Sequence, residues 1–261
     1  MTPAAPDPTA APAAPVAPAP DLAIILAGAG EGRRMGDLGP KLLIEVGGRP
    51  ALVRVVETFL KHPAVGEIVI TVPRELEPLA SLALGNIKNQ RKVRMKLIPG
   101  GSSRQESVAL AIEALTQGLP YIGVHDVARV LIDAALISRV LHAARESGAA
   151  IPVLPISDTV KEVAPGPHQD PAIPTISRSV ARENLVAAQT PQIFSSVILR
   201  KAHARARETL AAATDEAGLA EAMGVVVTVV PGDERNRKLT VASDLVILNA
   251  LLRAGAATER P

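Results

Sequence analysis

The chain has no cysteine and no tryptophan, and one tyrosine and two phenylalanines are its only other large aromatics. Without cysteine there are no disulfides and no thiolate metal sites, which suits a reducing cytoplasm. So few rings leave little stacking surface for single-stranded nucleic acid. They also require the core to be built from Ala, Val, Leu and Ile, and a hydrophobic content of 48% is enough for a large one. The formal charge of +2 is too small to mark a polyanion binder. The basic clusters from Lys88 to Lys96 and from Arg200 to Arg207 read as solvated faces, so no nucleic-acid partner is expected. No apolar run approaches the roughly 20 residues that span a bilayer, so no membrane association is expected either. These absences together predict a soluble cytoplasmic protein.

Residues 1–20 differ in kind from the rest. Seven Pro and eight Ala fill them, without a single Lys or Arg. A signal peptide needs a basic start and a continuous apolar stretch, so this segment predicts a disordered, partly polyproline-II tail. One folded domain is expected over residues 21–254.

From Leu22 onward short apolar runs alternate with helical stretches. Strands are predicted at Leu22–Ala27, Glu67–Val72, Val93–Ile98, Tyr121–His125, Ala149–Leu154 and Val225–Val230. Helices are predicted at Arg49–Leu60, Glu75–Leu84, Ser103–Leu115, Asp133–Ser147, Ser195–Ala211, Asp215–Met223 and Ala242–Arg253, with Ser102 or Ser103 capping the third. Strands alternating with helices of this length predict an α/β fold with a mainly parallel sheet covered on both faces. The rhythm breaks between Pro155 and Phe194, where a hairpin arm over about residues 155–184 is expected to leave the sheet.

In open α/β sheets ligands bind beyond the carboxyl ends of the strands. The first such end reads Ala27-Gly28-Ala29-Gly30-Glu31-Gly32-Arg33-Arg34-Met35, with Pro40-Lys41 soon after. Closely spaced glycines let backbone N–H groups approach phosphate oxygens. The spacing is neither the dinucleotide fingerprint nor a P-loop, and the two arginines and the lysine point instead to a triphosphate. A Gly turn before a helix N-terminus at Gly100-Gly101-Ser102-Ser103-Arg104-Gln105-Glu106-Ser107 is either an anion site or a plain cap. Asp126, in His125-Asp126-Val127-Ala128-Arg129, stands where an acid holds ribose hydroxyls, a metal, or only a cap. Gln189-Thr190-Pro191-Gln192, Thr214-Asp215-Glu216 and Asn236-Arg237-Lys238-Leu239-Thr240 are weak signals one by one.

In order and approximate spacing these segments, with Asp158-Thr159-Val160-Lys161, resemble the 2-C-methyl-D-erythritol 4-phosphate cytidylyltransferase family over Leu22 to Leu252. The resemblance implies a three-layer Rossmann-like nucleotidyltransferase fold with a protruding β-hairpin arm, and a homodimer joined through that arm. It implies CMP transfer from CTP to 2-C-methyl-D-erythritol 4-phosphate with release of pyrophosphate, and Mg²⁺ or another divalent cation on the triphosphate. Carried over by resemblance, Arg34 and Lys41 act at the α-phosphate, and Lys238 and Arg182 position the acceptor phosphate, with Arg182 serving the partner subunit's site. Gly28, Ala29, Gly30, Gly32, Gly101, Arg104 and Ser107 surround the nucleotide, Asp126 lies near the ribose or is the candidate metal ligand, and Arg129 is a further substrate-binding residue. Thr159, Thr190 and Thr214 form the acceptor pocket. Val130 stands where the family has a proline, which predicts a looser turn, and Ala181 stands where the family has an acidic neighbour of Arg182, which leaves the arm's register open. Ribitol 5-phosphate as acceptor, a sugar 1-phosphate enzyme using another nucleotide, and a nucleotide-binding module without catalysis are the competing readings. Arg34, Lys41 and Lys238 together weigh against the last, because binding alone does not need all three.

Overall fold

A computed structural model describes residues 19–29, 39–116, 118–164 and 174–258. The predicted tail lies outside these residues except for Ala19 and Pro20, as do Gly30, Gly32 and Arg34 of the Gly-rich loop.

In chain order the elements are β1 (Leu22–Ala27), a small hairpin of β2 (Glu45–Val46) and β3 (Arg49–Pro50), α1 (Ala51–Lys61), β4 (Val65–Val72), α2 (Glu77–Leu84), β5 (Arg94–Pro99), α3 (Arg104–Ala114), β6 (Tyr121–Asp126), α4 (Ala134–Ser147) and β7 (Ala149–Pro155). The arm follows as β8 (Val160–Ala164) and β9 (Thr175–Val180), then β10 (Val186–Ala188), β11 (Gln192–Ser195), α5 (Ser196–Thr209), α6 (Glu216–Glu221), β12 (Thr228–Pro231) and α7 (Ala242–Thr258).

The main sheet runs β12, β7, β11, β6, β1, β4, β5 from edge to edge. Its neighbours pair in parallel except β11, which is antiparallel to both β6 and β7, and the short β10, which is antiparallel to β7. Side chains alternate along each strand, and both faces are buried. Leu22, Ile24 and Leu26 of β1 join Val55, Phe59, Ile137 and Val140 of α1 and α4. Ala23 and Ile25 of the same strand join Val108, Ala111, Leu199 and Ala220 of α3, α5 and α6. A smaller cluster of Ile44, Val46, Leu239 and Leu248 seats α7 over the β2–β3 hairpin.

The parallel core agrees with the sequence reading, and one strand departs from it. Residues 186–195, beyond the expected arm and given no strand from sequence, return to the sheet as β10 and β11. Both lie on the β7 edge opposite β12 and act as one interrupted strand. Between Ala188, opposite Val153, and Ile193, opposite Ala150, five steps on one strand face three on the other. The surplus of two residues falls in the Gln189-Thr190-Pro191 bulge, where the Thr190–Pro191 peptide is cis. A four-residue strand after a proline carries too little periodicity to be read from sequence. The strand predicted at Val225–Val230 is likewise shorter, because only Thr228–Pro231 finds partners on β7. Val130, in the place where the resemblance expects a proline, is 2% exposed in the cluster under α7. The turn there is held by Arg129 N–H to the Asp126 carbonyl at 2.9 Å. No helix among the described residues is long and apolar enough to cross a membrane.

Candidate functional site

Parallel strands end together, so their carboxyl ends gather the loops that the sequence singled out. Ala27, the last residue of β1, pairs with Asp126, the last of β6, and Val127 N–H bonds the Ala27 carbonyl at 3.1 Å. The Gly28-Ala29 start of the Gly-rich loop therefore lies directly beside Asp126. Gly28 is needed there for space, because a Cβ would stand 2.8 Å from the Thr71 carbonyl. At Gly100 a Cβ would fall 2.3 Å from the Ala29 Cβ, so Ala29 is seated against the turn that opens α3. On the far side of the loop, Lys41 opens a 3₁₀ turn, Lys41–Leu43.

The α3 turn is built by serines. Ser103 caps the helix by accepting from Glu106 N–H at 3.0 Å, and Glu106 reaches back to the Ser102 N–H at 2.7 Å. The Ser107 hydroxyl accepts from Gly101 N–H at 3.0 Å and donates to the Ser103 carbonyl at 2.7 Å. Ser107 is buried and shapes the Gly100-Gly101 turn.

A chain of alternating charge crosses this edge. The Lys238 ammonium donates to Asp126 Oδ2 at 2.6 Å. Asp126 Oδ1 accepts from Arg104 Nε at 3.0 Å, and the two terminal nitrogens of Arg104 donate to the Glu216 carboxylate at 2.9 and 3.0 Å. The Asp126 and Glu216 side chains are 10% and 1% exposed, whereas that of Lys238 is 42% exposed and faces the opening. Burial by itself would raise the Asp126 carboxyl, but the Arg104 and Lys238 charges outweigh it and hold it well below the usual carboxylate range. Burial pushes the Glu216 carboxyl up, against the opposing pull of Arg104.

The three later motifs converge on the same corner. Thr190 Oγ1 accepts from Asp126 N–H at 3.1 Å and contacts His125 Nδ1 at 3.1 Å, while His125 Nε2 lies 3.1 Å from the Arg129 carbonyl. Burial pushes the His125 imidazole down to about 4, so it is neutral. The bonding then assigns the proton to Nε2, which donates to Arg129, and leaves Nδ1 to accept from the Thr190 hydroxyl. Arg129 braces two segments, donating to the carbonyls of Asn236 and Ala188 at 2.9 and 3.1 Å. Asn236 Nδ2 donates to the Thr190 carbonyl at 2.8 Å, and Leu239 N–H bonds the Ala128 carbonyl at 2.8 Å. These contacts fix the loop that carries Lys238. Its far end is tied to α7 by Asp244, which accepts from Thr240 N–H, Val241 N–H and Arg237.

Of the residues picked from sequence, the structure thus gathers Gly28, Ala29, Gly101, Arg104, Ser107, Asp126, Arg129, Thr190 and Lys238 at one edge. Thr214 is exposed immediately before Asp215, the N-cap of α6. Thr159 and Arg182 stand at the base of the arm, where Arg182 bonds the Ser157 carbonyl. Among the described residues no ion pair joins Arg182 to the Asp126 cluster. As for a metal, both oxygens of Asp126 already accept from a cation, and no group of three His, Asp or Glu among the described residues could hold an ion. Such a donor set fits an ion that arrives on phosphate oxygens and takes at most a carboxylate from the protein. The sequence reading gave no role to His125, Gln192 or Glu216. Gln192 and Glu216 lie inside motifs it quoted, but their partners are distant in the chain.

The sequence model of the family described as IspD: 2-C-methyl-D-erythritol 4-phosphate cytidylyltransferase matches residues 22–254. The chain is 37% identical over 237 residues to the 2-C-methyl-D-erythritol 4-phosphate cytidylyltransferase of Thermus thermophilus, covering 91% of this chain and 100% of that one. It is 38% identical over 234 residues to the bifunctional enzyme IspD/IspF of Bradyrhizobium sp. strain ORS 278; that match covers 89% of this chain and 56% of the relative, so the chain spans little more than half of it. The crystal structure of the Thermus thermophilus 2-C-methyl-D-erythritol 4-phosphate cytidylyltransferase superposes with a TM-score of 0.69 at 35% identity, covering 88% of this chain and 98% of that one.

Proposed function

The chain belongs to the 2-C-methyl-D-erythritol 4-phosphate cytidylyltransferase family, and we propose that the edge around Asp126 and Lys238 is where it works. It is a cytidylyltransferase that transfers CMP from CTP to 2-C-methyl-D-erythritol 4-phosphate, giving the CDP-linked product and pyrophosphate, a step toward isoprenoid precursors. An oxygen of the acceptor phosphate forms a bond to the α-phosphorus of CTP. The bond from that phosphorus to the bridging oxygen breaks, and its electron pair leaves with pyrophosphate.

Such a displacement needs placement and charge neutralisation more than covalent help. A phosphate monoester has a second pKa of about 6, so the acceptor is already largely dianionic at neutral pH and needs no general base. His125 agrees with this, being buried, neutral and spent on two hydrogen bonds. The observation that carries the assignment is the Lys238 ammonium. Asp126 holds it at 2.6 Å, it is half exposed, and it stands at the strand edge where the Gly-rich loop begins. An ammonium has three donors and Asp126 takes one, leaving two for phosphate oxygens. By resemblance Lys41 and Arg34 neutralise charge at the α-phosphate, and Gly28 and Gly101 border the nucleotide, while Arg104 spends its three guanidinium nitrogens on Asp126 and Glu216. A divalent ion, Mg²⁺ in this reading, would be held chiefly by the triphosphate oxygens, with Asp126 the nearest carboxylate though already engaged by Arg104 and Lys238, and would supply charge neutralisation there.

The arm supports a homodimer. Its two strands leave Val163 58% and Ile176 64% exposed, and an isolated two-stranded hairpin is marginal in water. Packing against a second copy would cover these side chains and bring Arg182 and Thr159 to the neighbouring site. The cysteine-free composition suits the cytoplasm.

The test is Mg²⁺-dependent pyrophosphate release from CTP, with 2-C-methyl-D-erythritol 4-phosphate and ribitol 5-phosphate offered in parallel. Release with the first acceptor alone is expected. Release only with the second would overturn the acceptor, and silence with both would overturn the reaction. Sedimentation of the same preparation reads the dimer.

A further inference from the structure

We propose that Glu216 is a positioning residue for the transfer: acting through Arg104 and Asp126, it sets where Lys238 holds its ammonium group. The inference rests on the reading that Lys238 serves the reacting phosphates.

Glu216 is 1% exposed, so its carboxylate does not reach a substrate. It is nevertheless fixed from two directions. Its own N–H and that of Ala217 both donate to Gln192 Oε1 at 3.1 Å, and Gln192 Nε2 donates to Asp215 at 2.7 Å. Gln192 belongs to β11 and pairs with Val124, two residues before Asp126 on β6. The start of α6 is therefore referenced to the strand that presents Asp126. From the other direction the Glu216 carboxylate takes both terminal nitrogens of Arg104, a bidentate contact that fixes the plane of the guanidinium.

Arg104 is the first residue of α3, and its third nitrogen is spent on Asp126. Each carboxylate thus orients the next cation in line. A guanidinium held only through Nε is free to tilt, and Asp126 Oδ1 would follow it. Lys238 bonds the other oxygen of the same carboxylate, so the tilt would be passed to the ammonium. Burial disfavours the ionised form of Glu216 and pushes its carboxyl up. Buried ion pairs of this sort contribute little to stability compared with apolar side chains of the same size. The return for this one is a fixed position.

The test is a double-mutant cycle on the full chain. Glu216→Gln keeps the shape and one acceptor but loses the charged bidentate partner. Turnover is expected to fall about tenfold with the CTP KM changed less than about threefold, since a displacement of an ångström at a reacting group is enough for such a loss. In a Lys238→Ala background the same substitution should change turnover less than about twofold, because the lever has nothing left to move. An unchanged turnover in Glu216→Gln overturns the proposal. So does an equal loss in both backgrounds, which is the mark of a merely structural role. If Glu216→Gln does not fold, Glu216→Asp, which keeps the charge and shortens the reach, enters the same cycle with the same criteria. Normal turnover in Lys238→Ala alone would instead overturn the site assignment on which the proposal stands.

Discussion

Replacing Asp126 by Asn removes a charge and keeps the shape, and the structure determines how that should fail. Asn carries one acceptor oxygen and one NH2 group, while both partners of Asp126, Arg104 Nε and Lys238 Nζ, only donate. Whichever way the amide is turned, one of the two contacts becomes donor against donor. Removing one partner of a fully buried ion pair costs about 3–5 kcal/mol. Here Arg104 keeps Glu216, and Lys238 is 42% exposed and regains water, so a loss of about 2 kcal/mol is expected. For a domain of this size that is a fall of roughly 4–8 °C in melting temperature, read by far-UV circular dichroism. The pH dependence supplies a second check. The native carboxyl titrates below the unfolded value of about 3.9. Its stabilisation is therefore complete above that value and is lost as pH falls through the native one. The gap between wild type and Asp126→Asn should be constant near neutrality and narrow below about pH 4. Turnover at neutral pH should drop at least tenfold, about 1.4 kcal/mol of barrier. A melting temperature within a degree or so of wild type together with turnover within about twofold would refute the reasoning.

Three further substitutions probe the surroundings. Lys41→Ala should lower turnover at least tenfold, about 1.4 kcal/mol of barrier, with CTP affinity largely kept; near-normal turnover would remove Lys41 from the mechanism. Gly100→Ala places a Cβ 2.3 Å from Ala29 and 2.8 Å from the Ser107 hydroxyl, so a stability loss of about 1–3 kcal/mol and a raised CTP KM are expected, and an unchanged KM would show that the loop and turn move independently. Asp244→Ala removes the acceptor of the Thr240 and Val241 N–H groups at the start of α7 and should cost about 1 kcal/mol in a denaturant melt. Burial would raise the Asp244 carboxyl, but hydrogen bonds from Thr240, Val241 and Arg237 hold it well below the usual range; its contribution is thus present above the ordinary carboxylate value and lost on further acidification, so a difference from wild type that grows in acid would count against it.

The sequence by itself determined the parallel core, because short continuous apolar runs such as Leu22–Ala27, separated by amphipathic helices, leave few other arrangements. It also marked the segments that carry chemistry, since glycines, a helix cap and lone charges at strand ends are local signals. Its reading of Arg34, Gly30 and Gly32 falls outside the described residues and rests on sequence alone. What it could not reach are the contacts made across the chain. The insertion of β11 between β6 and β7 depends on which edges are free after the parallel strands have paired, and no local pattern records that. The Glu216–Arg104–Asp126–Lys238 chain joins residues up to 112 positions apart. A buried Glu and a solvated Glu look alike in a sequence. Local propensity is written residue by residue, whereas the pairing of charges at the carboxyl edge was decided only when the sheet closed and brought α3, α6, β6 and the Lys238 loop together.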